Sequence, residues 1–174
     1  MSEHSSLTHL GQRVGDLLKT SGHSIAVAES STGGLLSASL LAVPGASAYF
    51  HGGTVIYTYQ SRRLLFGLTR DDVRDLAPMS VEVGAVFARR VRERFGTTWS
   101  VCELGATGPS GTRYGHPAGT CIIAIDGPLT TQHALATGES DREANMWAFT
   151  RYALDRLADT IELAIEGDAH HADA

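Results

Sequence analysis

Six consecutive residues, Glu29-Ser30-Ser31-Thr32-Gly33-Gly34, join a carboxylate, three hydroxyls and two glycines at the end of a short apolar run. Ile25-Ala26-Val27-Ala28 before them suits a strand covered on both faces. Leu35, Leu36, Leu40 and Leu41 after them return at helical spacing, so the polar cluster falls at a strand-to-helix turn. A hydroxyl placed there lies beside the first amide hydrogens of a helix, which lack internal partners and favour developing negative charge. Gly33 and Gly34 let backbone approach a ligand without a Cβ clash. This is the outline of an acyl-transfer nucleophile, Ser30, with an oxyanion site beside it. The same residues also describe an ordinary helix N-cap, and neither a GxSxG elbow nor a Ser/His/Asp order accompanies them.

Two further stretches carry polar chemistry. Gly52-Gly53 leads through Val55 and Ile56 to Tyr57 and then Arg62. Tyr57 suits a proton relay or substrate anchor, with a core aromatic as the alternative, and Arg62 suits pairing with a phosphate or carboxylate. The loop 105–119 has glycine at 105, 108, 111, 115 and 119 and proline at 109 and 117. Gly105, Ala106, Thr107 and Gly108 open it, and successive amides in such a loop can cradle an anion. Arg113, Tyr114 and His116 add charge and stacking, while a plain surface loop is the alternative. It lacks the Gly-Lys-Ser/Thr ending of a Walker loop, and no GxGxxG follows a strand. The eight histidines show no metal-ligand spacing, and Cys102 and Cys121 lie singly in apolar runs, so neither a metal site nor a disulfide framework is expected.

The elements that must hold these groups follow from periodicity. Leu7, Leu10, Val14, Leu17 and Leu18 share a helical face that ends at Gly22. Strands are expected at 25–28, 54–59, 99–104, 121–125 and 133–136. A short helix around Leu64 and Leu65 closes at Gly67. A longer one starts at an N-cap, Ser80, with Val83, Val86, Phe87 and Val91 inward and Arg89, Arg90, Arg92 and Arg94 on a solvated face. The last helix is expected over 141–165 with Trp147, Tyr152, Leu154, Leu157, Ile161 and Ile165 inward, followed by a frayed tail at 167–174. Strands alternating with helices predict an α/β fold, a single domain at 5–166 whose mixed β-sheet is covered by helices.

Composition sets outer limits. A chain of 174 residues with 43% apolar and 19% charged side chains fits one globular domain. The net charge of −5 opposes a general nucleic-acid binder. The first residues lack the pattern of a signal peptide, and no apolar segment reaches the ~20 residues of a membrane span, which predicts a cytoplasmic protein without membrane contact.

Three of these stretches, in order, resemble the C-terminal domain of competence/damage-inducible protein CinA, also found alone as nicotinamide-nucleotide amidase. The family's Glu-Ser-Cys-Thr-Gly-Gly is similar to Glu29-Ser30-Ser31-Thr32-Gly33-Gly34. Its Pro-Gly-Ser-Ser turn is similar to Pro44-Gly45-Ala46-Ser47, and its Gly-Gly strand ending in Tyr to Gly52-Gly53 with Tyr57. Its Gly-Ile-Ala-Gly-Pro resembles Gly105-Ala106-Thr107-Gly108-Pro109, and its Lys-Pro-Val-Gly-Thr resembles His116-Pro117-Ala118-Gly119-Thr120. The resemblance implies hydrolysis of the carboxamide of nicotinamide mononucleotide to the acid and ammonia through a Ser30 acyl-enzyme. Tyr57 and Arg62 would assist, and Ser31, Thr32, Gly33, Gly34 and residues 105–108 would hold oxyanion or phosphate. No cofactor is implied, and a homo-oligomer is. This chain departs from the pattern at Arg62, where the family usually has Lys, and at Leu104, where it has Thr. Arginine does not give up its proton, so a nucleotide-binding or regulatory member without turnover is the alternative.

Overall fold

The computed structural model describes residues 6–172, with side chains described for residues 6–167. Five strands form one sheet in the order β2-β1-β3-β4-β5, with β1 Ile25–Glu29, β2 Phe50–Val55, β3 Trp99–Ala106, β4 Thr120–Asp126 and β5 Thr131–Ala136. β1 runs parallel to both β2 and β3, and β4 runs antiparallel to both of its neighbours, β3 and β5. The α/β class and the mixed, helix-covered sheet expected from the sequence are what the structure has.

Helices cover both faces because the central strands are apolar on both. Every residue of β1 is buried. On one face Val27 and Val101 pack against α1 (Leu7–Ser21), α2 (Leu35–Leu41) and α5 (Arg142–Ala172). On the other, Ala28, Cys102 and Ala124 pack against Val83, Phe87, Ala88 and Val91 of α4 (Val81–Phe95), with Phe66 of α3 (Tyr59–Phe66) alongside. Ser80 caps α4 by accepting from the Val83 amide at 3.3 Å, as the sequence predicts. Arg90 and Arg92 leave the expected solvated face to meet Asp72 and Asp126.

Two element boundaries differ from expectation. β2 ends at Val55, where 54–59 was expected, and its two glycines lie inside the strand. A Cβ on Gly53 would sit 2.0 Å from Ser37 Oγ and one on Gly52 2.6 Å from the Phe95 ring, so these glycines admit helices on both sides. Thr58 and Ser61 then form a capping box that starts α3 and frees Tyr57 from the sheet. The last helix runs to Ala172, past the expected end near Ile165, because Gly167 does not adopt the positive φ of a helix stop. Its core position is filled by Phe149 rather than Trp147, which is only half-buried. Among the described residues no helix is long and apolar enough to cross a membrane.

The topology selects one edge of the sheet for a ligand. From β1 the chain passes to β2 on one side and then crosses to β3 on the other. A crevice therefore opens beyond the carboxyl ends of β1 and β3, where such sheets bind ligands. Ser30, Tyr57 and Gly105 all lie at that edge.

Candidate active site

The turn after β1 is held by two buried carboxyl groups on neighbouring strands. Ala28 pairs with Cys102, so Glu29 and Glu103 are the next residues on β1 and β3, and both are wholly inaccessible. Glu29 turns onto the start of α2 and accepts the amides of Gly34 at 2.8 Å, Leu36 at 3.1 Å and Ser37 at 3.0 Å. The hydroxyls of Ser37 at 2.6 Å and Thr32 at 2.7 Å also donate to it. The anion at this helix end is thus the protein's own side chain. Glu103 accepts the amides of Ser30 at 2.9 Å and Thr32 at 3.1 Å and contacts the Ser31 hydroxyl. Burial pushes the Glu103 carboxyl above its ordinary pKa, and its hydrogen bonds with Ser31, Thr32 and Ser30 only partly oppose this.

These bonds take up the Ser31 and Thr32 side chains and the Gly34 amide, which were expected to hold substrate. Ser31 and Thr32 are buried and bonded to Glu103, so they brace the turn and do not form the cavity wall. Gly33 and Gly34 are needed for their positive φ values of 65° and 108°, and the Gly34 amide is already taken by Glu29. An oxyanion site built from the α2 amides is therefore filled from within.

Ser30 is different. It lines an open cavity of about 1310 Å³, together with Tyr57, Arg62, Leu104, Gly105 and Tyr114. Its side chain has no hydrogen-bond partner among the described residues, yet Arg156 Nε is the one buried side-chain polar atom there left without one. The Ser30 hydroxyl therefore faces the cavity. It does not cap its own backbone.

Arg62 enters from α3. Its Nε donates to the Ile56 carbonyl at 3.0 Å, and its guanidinium carbon lies 5.2 Å from the centroid of the Phe87 ring. The two amino groups have no partner among the described residues and are left for an anion. Burial lowers its pKa, with partial opposition from Cys102, Tyr114 and Glu103. Even so, a guanidinium remains charged and is no base. Tyr57 is exposed at the cavity, which removes the core-aromatic alternative, and its hydroxyl accepts from Arg142 Nη2 at 3.3 Å.

The glycine-rich loop contributes less than expected. Gly105 reaches the cavity, whereas Ala106, Thr107 and Gly108 lie behind it. Ala106 and Thr107 are buried, and the Thr107 carbonyl accepts from Asn145 Nδ2 at 2.8 Å. The peptide between Gly108 and Pro109 is cis, and the Gly108 carbonyl accepts from Arg142 Nη1 at 2.8 Å. The loop's cationic end does face the cavity: Arg113 stacks 4.9 Å from the centroid of the Tyr114 ring and donates to its hydroxyl at 2.6 Å. Arg70, against the Tyr59 ring at 5.2 Å, and Arg74, paired with Asp71, bring the guanidinium groups of the wall to four. Cations backed by aromatic faces suit a phosphorylated, ring-bearing ligand. Among the described residues no cluster of three or more His, Cys, Asp or Glu could hold a metal.

Glu103 and Asn145 went unnoticed in the sequence as parts of this region. A glutamate inside the apolar run Val101-Cys102-Glu103-Leu104 was the available signal, because a buried carboxyl in a strand needs partners.

Comparisons with known proteins agree with the geometry. The family model of the CinA C-terminal domain matches residues 7–161. A CinA-like protein of Chlorobium limicola is 42% identical over 120 residues, 69% of this chain and 28% of its own length. One from Nostoc sp. is 38% identical over 119 residues, 68% of this chain and 28% of its own. The chain thus spans about a third or less of the curated relatives it matches. Among solved structures, a CinA superfamily protein of Klebsiella pneumoniae superposes with a TM-score of 0.83 at 23% identity, covering 91% of this chain and 99% of that one. A competence/damage-inducible protein of Agrobacterium tumefaciens gives 0.80 at 25% identity, covering 88% and 94%. With its fold and nearly all its length matched in this way, the chain belongs to the CinA C-terminal domain family.

Proposed function

We propose that the chain hydrolyses the carboxamide of nicotinamide mononucleotide through a Ser30 acyl-enzyme. The observation that carries this reading is the free Ser30 hydroxyl on the wall of a cavity that also holds Arg62, Arg70 and Arg113. The guanidinium groups hold the phosphate, and the tyrosine faces stack on the rings.

In this mechanism Ser30 Oγ attacks the amide carbon while its proton is relayed, through the Tyr57 hydroxyl or a water, towards the amide nitrogen. The tetrahedral oxyanion collapses, the C–N bond breaks, and the nitrogen takes up the proton and leaves as ammonia. Water then attacks the acyl-serine ester, releasing nicotinic acid mononucleotide and restoring the hydroxyl. Glu103 accepts the amides of Ser30 and Thr32 and Glu29 that of Gly34, so the Ser31 N–H, next after the nucleophile, is the candidate oxyanion donor. Arg62 anchors charge and moves no proton.

A second reading is favoured by Arg62 and Leu104, which place a permanent cation and an apolar side chain where the family pattern has Lys and Thr. In it the cavity binds the nucleotide without turning it over. Ammonia release from nicotinamide mononucleotide, beside a Ser30→Ala control, separates the two. Turnover lost in the control supports hydrolysis, and calorimetric binding without ammonia supports the binding module.

A further inference from the structure

The Glu103 carboxyl offers two oxygens with different duties. Oε2 accepts the amides of Ser30 and Thr32, which use both of its lone pairs. Oε1 has the Ser31 hydroxyl as its one hydrogen-bond partner among the described residues, in a short contact. Thr32 Oγ1 stands between the two glutamates, 2.7 Å from Glu29 Oε2 and 3.1 Å from Glu103 Oε2. A hydroxyl carries one hydrogen, and the shorter distance gives it to Glu29. Glu29 acts only as an acceptor, taking five donors. The proton that an apolar interior requires of this carboxyl pair then belongs on Glu103 Oε1, pointing at Ser31 Oγ.

We propose that Glu103 is a positioning residue for Ser30: as a neutral acid it donates from Oε1 to Ser31 and accepts the Ser30 and Thr32 amides at Oε2, clamping the turn that presents the nucleophile. This rests on Ser30 being the nucleophile. The clamp joins residues 73 positions apart and ties the end of β3 to the turn after β1. Gly105 leaves room for it, since a Cβ there would lie 2.4 Å from Ser31 Oγ and 2.8 Å from Glu103 Oε1. The titratable or charged groups facing Glu103 are Glu29 on β1, Arg62 on α3, Cys102 beside it on β3 and Cys121 on β4. Phe149 of α5 approaches the same space and adds no charge. Burial raises the Glu103 pKa in the direction the clamp needs.

Glutamine reproduces the neutral acid, with a carbonyl oxygen for the two amides and an N–H for Ser31. The test is the rate at which a fluorophosphonate labels Ser30 in the wild type, Glu103→Gln and Glu103→Leu, with infrared difference spectra of the first two at neutral pH. Glu103→Gln should label like the wild type and lose the carbonyl stretch of a protonated carboxyl group. Glu103→Leu should label about a hundredfold more slowly, the scale of a displaced reacting atom. Should Glu103→Leu not fold, Glu103→Asp, which retracts the carboxyl by one methylene, is expected to show the same loss. Wild-type labelling in Leu or Asp, or an unchanged infrared band in Gln, would overturn the proposal. Labelling does not depend on the substrate, so a wild type that is labelled yet releases no ammonia contradicts only the amide substrate. One that is not labelled at all removes both readings.

Discussion

Arg142 Nη2 donates to the Tyr57 hydroxyl at 3.3 Å while its Nη1 holds the Gly108 carbonyl at 2.8 Å, so one side chain of α5 ties the tyrosine at the cavity mouth to the glycine-rich loop. Arg142 and Tyr57 are both exposed, which limits what the bond between them contributes, whereas Gly108 is buried. Arg142→Ala should therefore raise KM for nicotinamide mononucleotide by roughly three- to tenfold and leave kcat nearly unchanged. Steady-state kinetics on the variant checks this.

Gly105 is a steric requirement of the same region. A methyl group there meets Ser31 Oγ at 2.4 Å and the Phe149 ring at 2.8 Å, both inside the core. Gly105→Ala should lose roughly 1–3 kcal/mol of stability, the usual cost of overpacking, and slow Ser30 labelling as well. Urea denaturation measures the first and probe incorporation the second.

Asn145 is buried and uses its side chain fully, donating to Thr107 O at 2.8 Å and Glu139 O at 2.9 Å and accepting from Thr137 Oγ1 at 2.7 Å. Asn145→Ala strands two carbonyls and a hydroxyl and should cost about 1–3 kcal/mol. A fall in the denaturation midpoint with an unchanged slope is the expected result.

The raised Glu103 pKa gives a pH dependence of known sign. The folded state keeps its proton to higher pH than the unfolded chain does. Its contribution is therefore complete below the ordinary carboxylate range, at about pH 4, and is lost as pH rises through the folded value. The stability of the wild type relative to Glu103→Gln should decline with increasing pH. Urea midpoints of the two proteins, compared across pH, give the slope directly, and the exposed acids cancel in the difference.

Local pattern made much of the architecture legible. The α1 stripe through Val14 and Leu18, the fully buried β1 and the Ser80 cap each depend on neighbours in the chain, so spacing alone reveals them. Ser30 was legible for the same reason, as a hydroxyl between a strand and a helix. What escaped was set by contacts distant in sequence. The role of Ser31 is fixed by Glu103 on another strand, and the place of Gly53 inside β2 is fixed by Ser37 on α2. The anion site expected at α2 failed because Glu29, only five residues before Gly34, folds back to take that amide itself.

Arg62 offers a gain-of-function probe. Its guanidinium anchors charge beside Ser30 and accepts no proton, whereas a lysine in the same wall can lose one when buried. Arg62→Lys should raise kcat for amide hydrolysis and introduce a rising pH limb that the wild type lacks. Rates of ammonia release against pH, for both proteins, decide it.

The most direct test of the account is ammonia release from nicotinamide mononucleotide by the wild-type chain and by Ser30→Ala under identical conditions. The wild type should release ammonia and the variant none above background, while the variant should still bind the nucleotide because Arg62, Arg70 and Arg113 are intact. Equal release from both proteins would contradict it, since the hydroxyl facing the cavity would then take no part in the reaction.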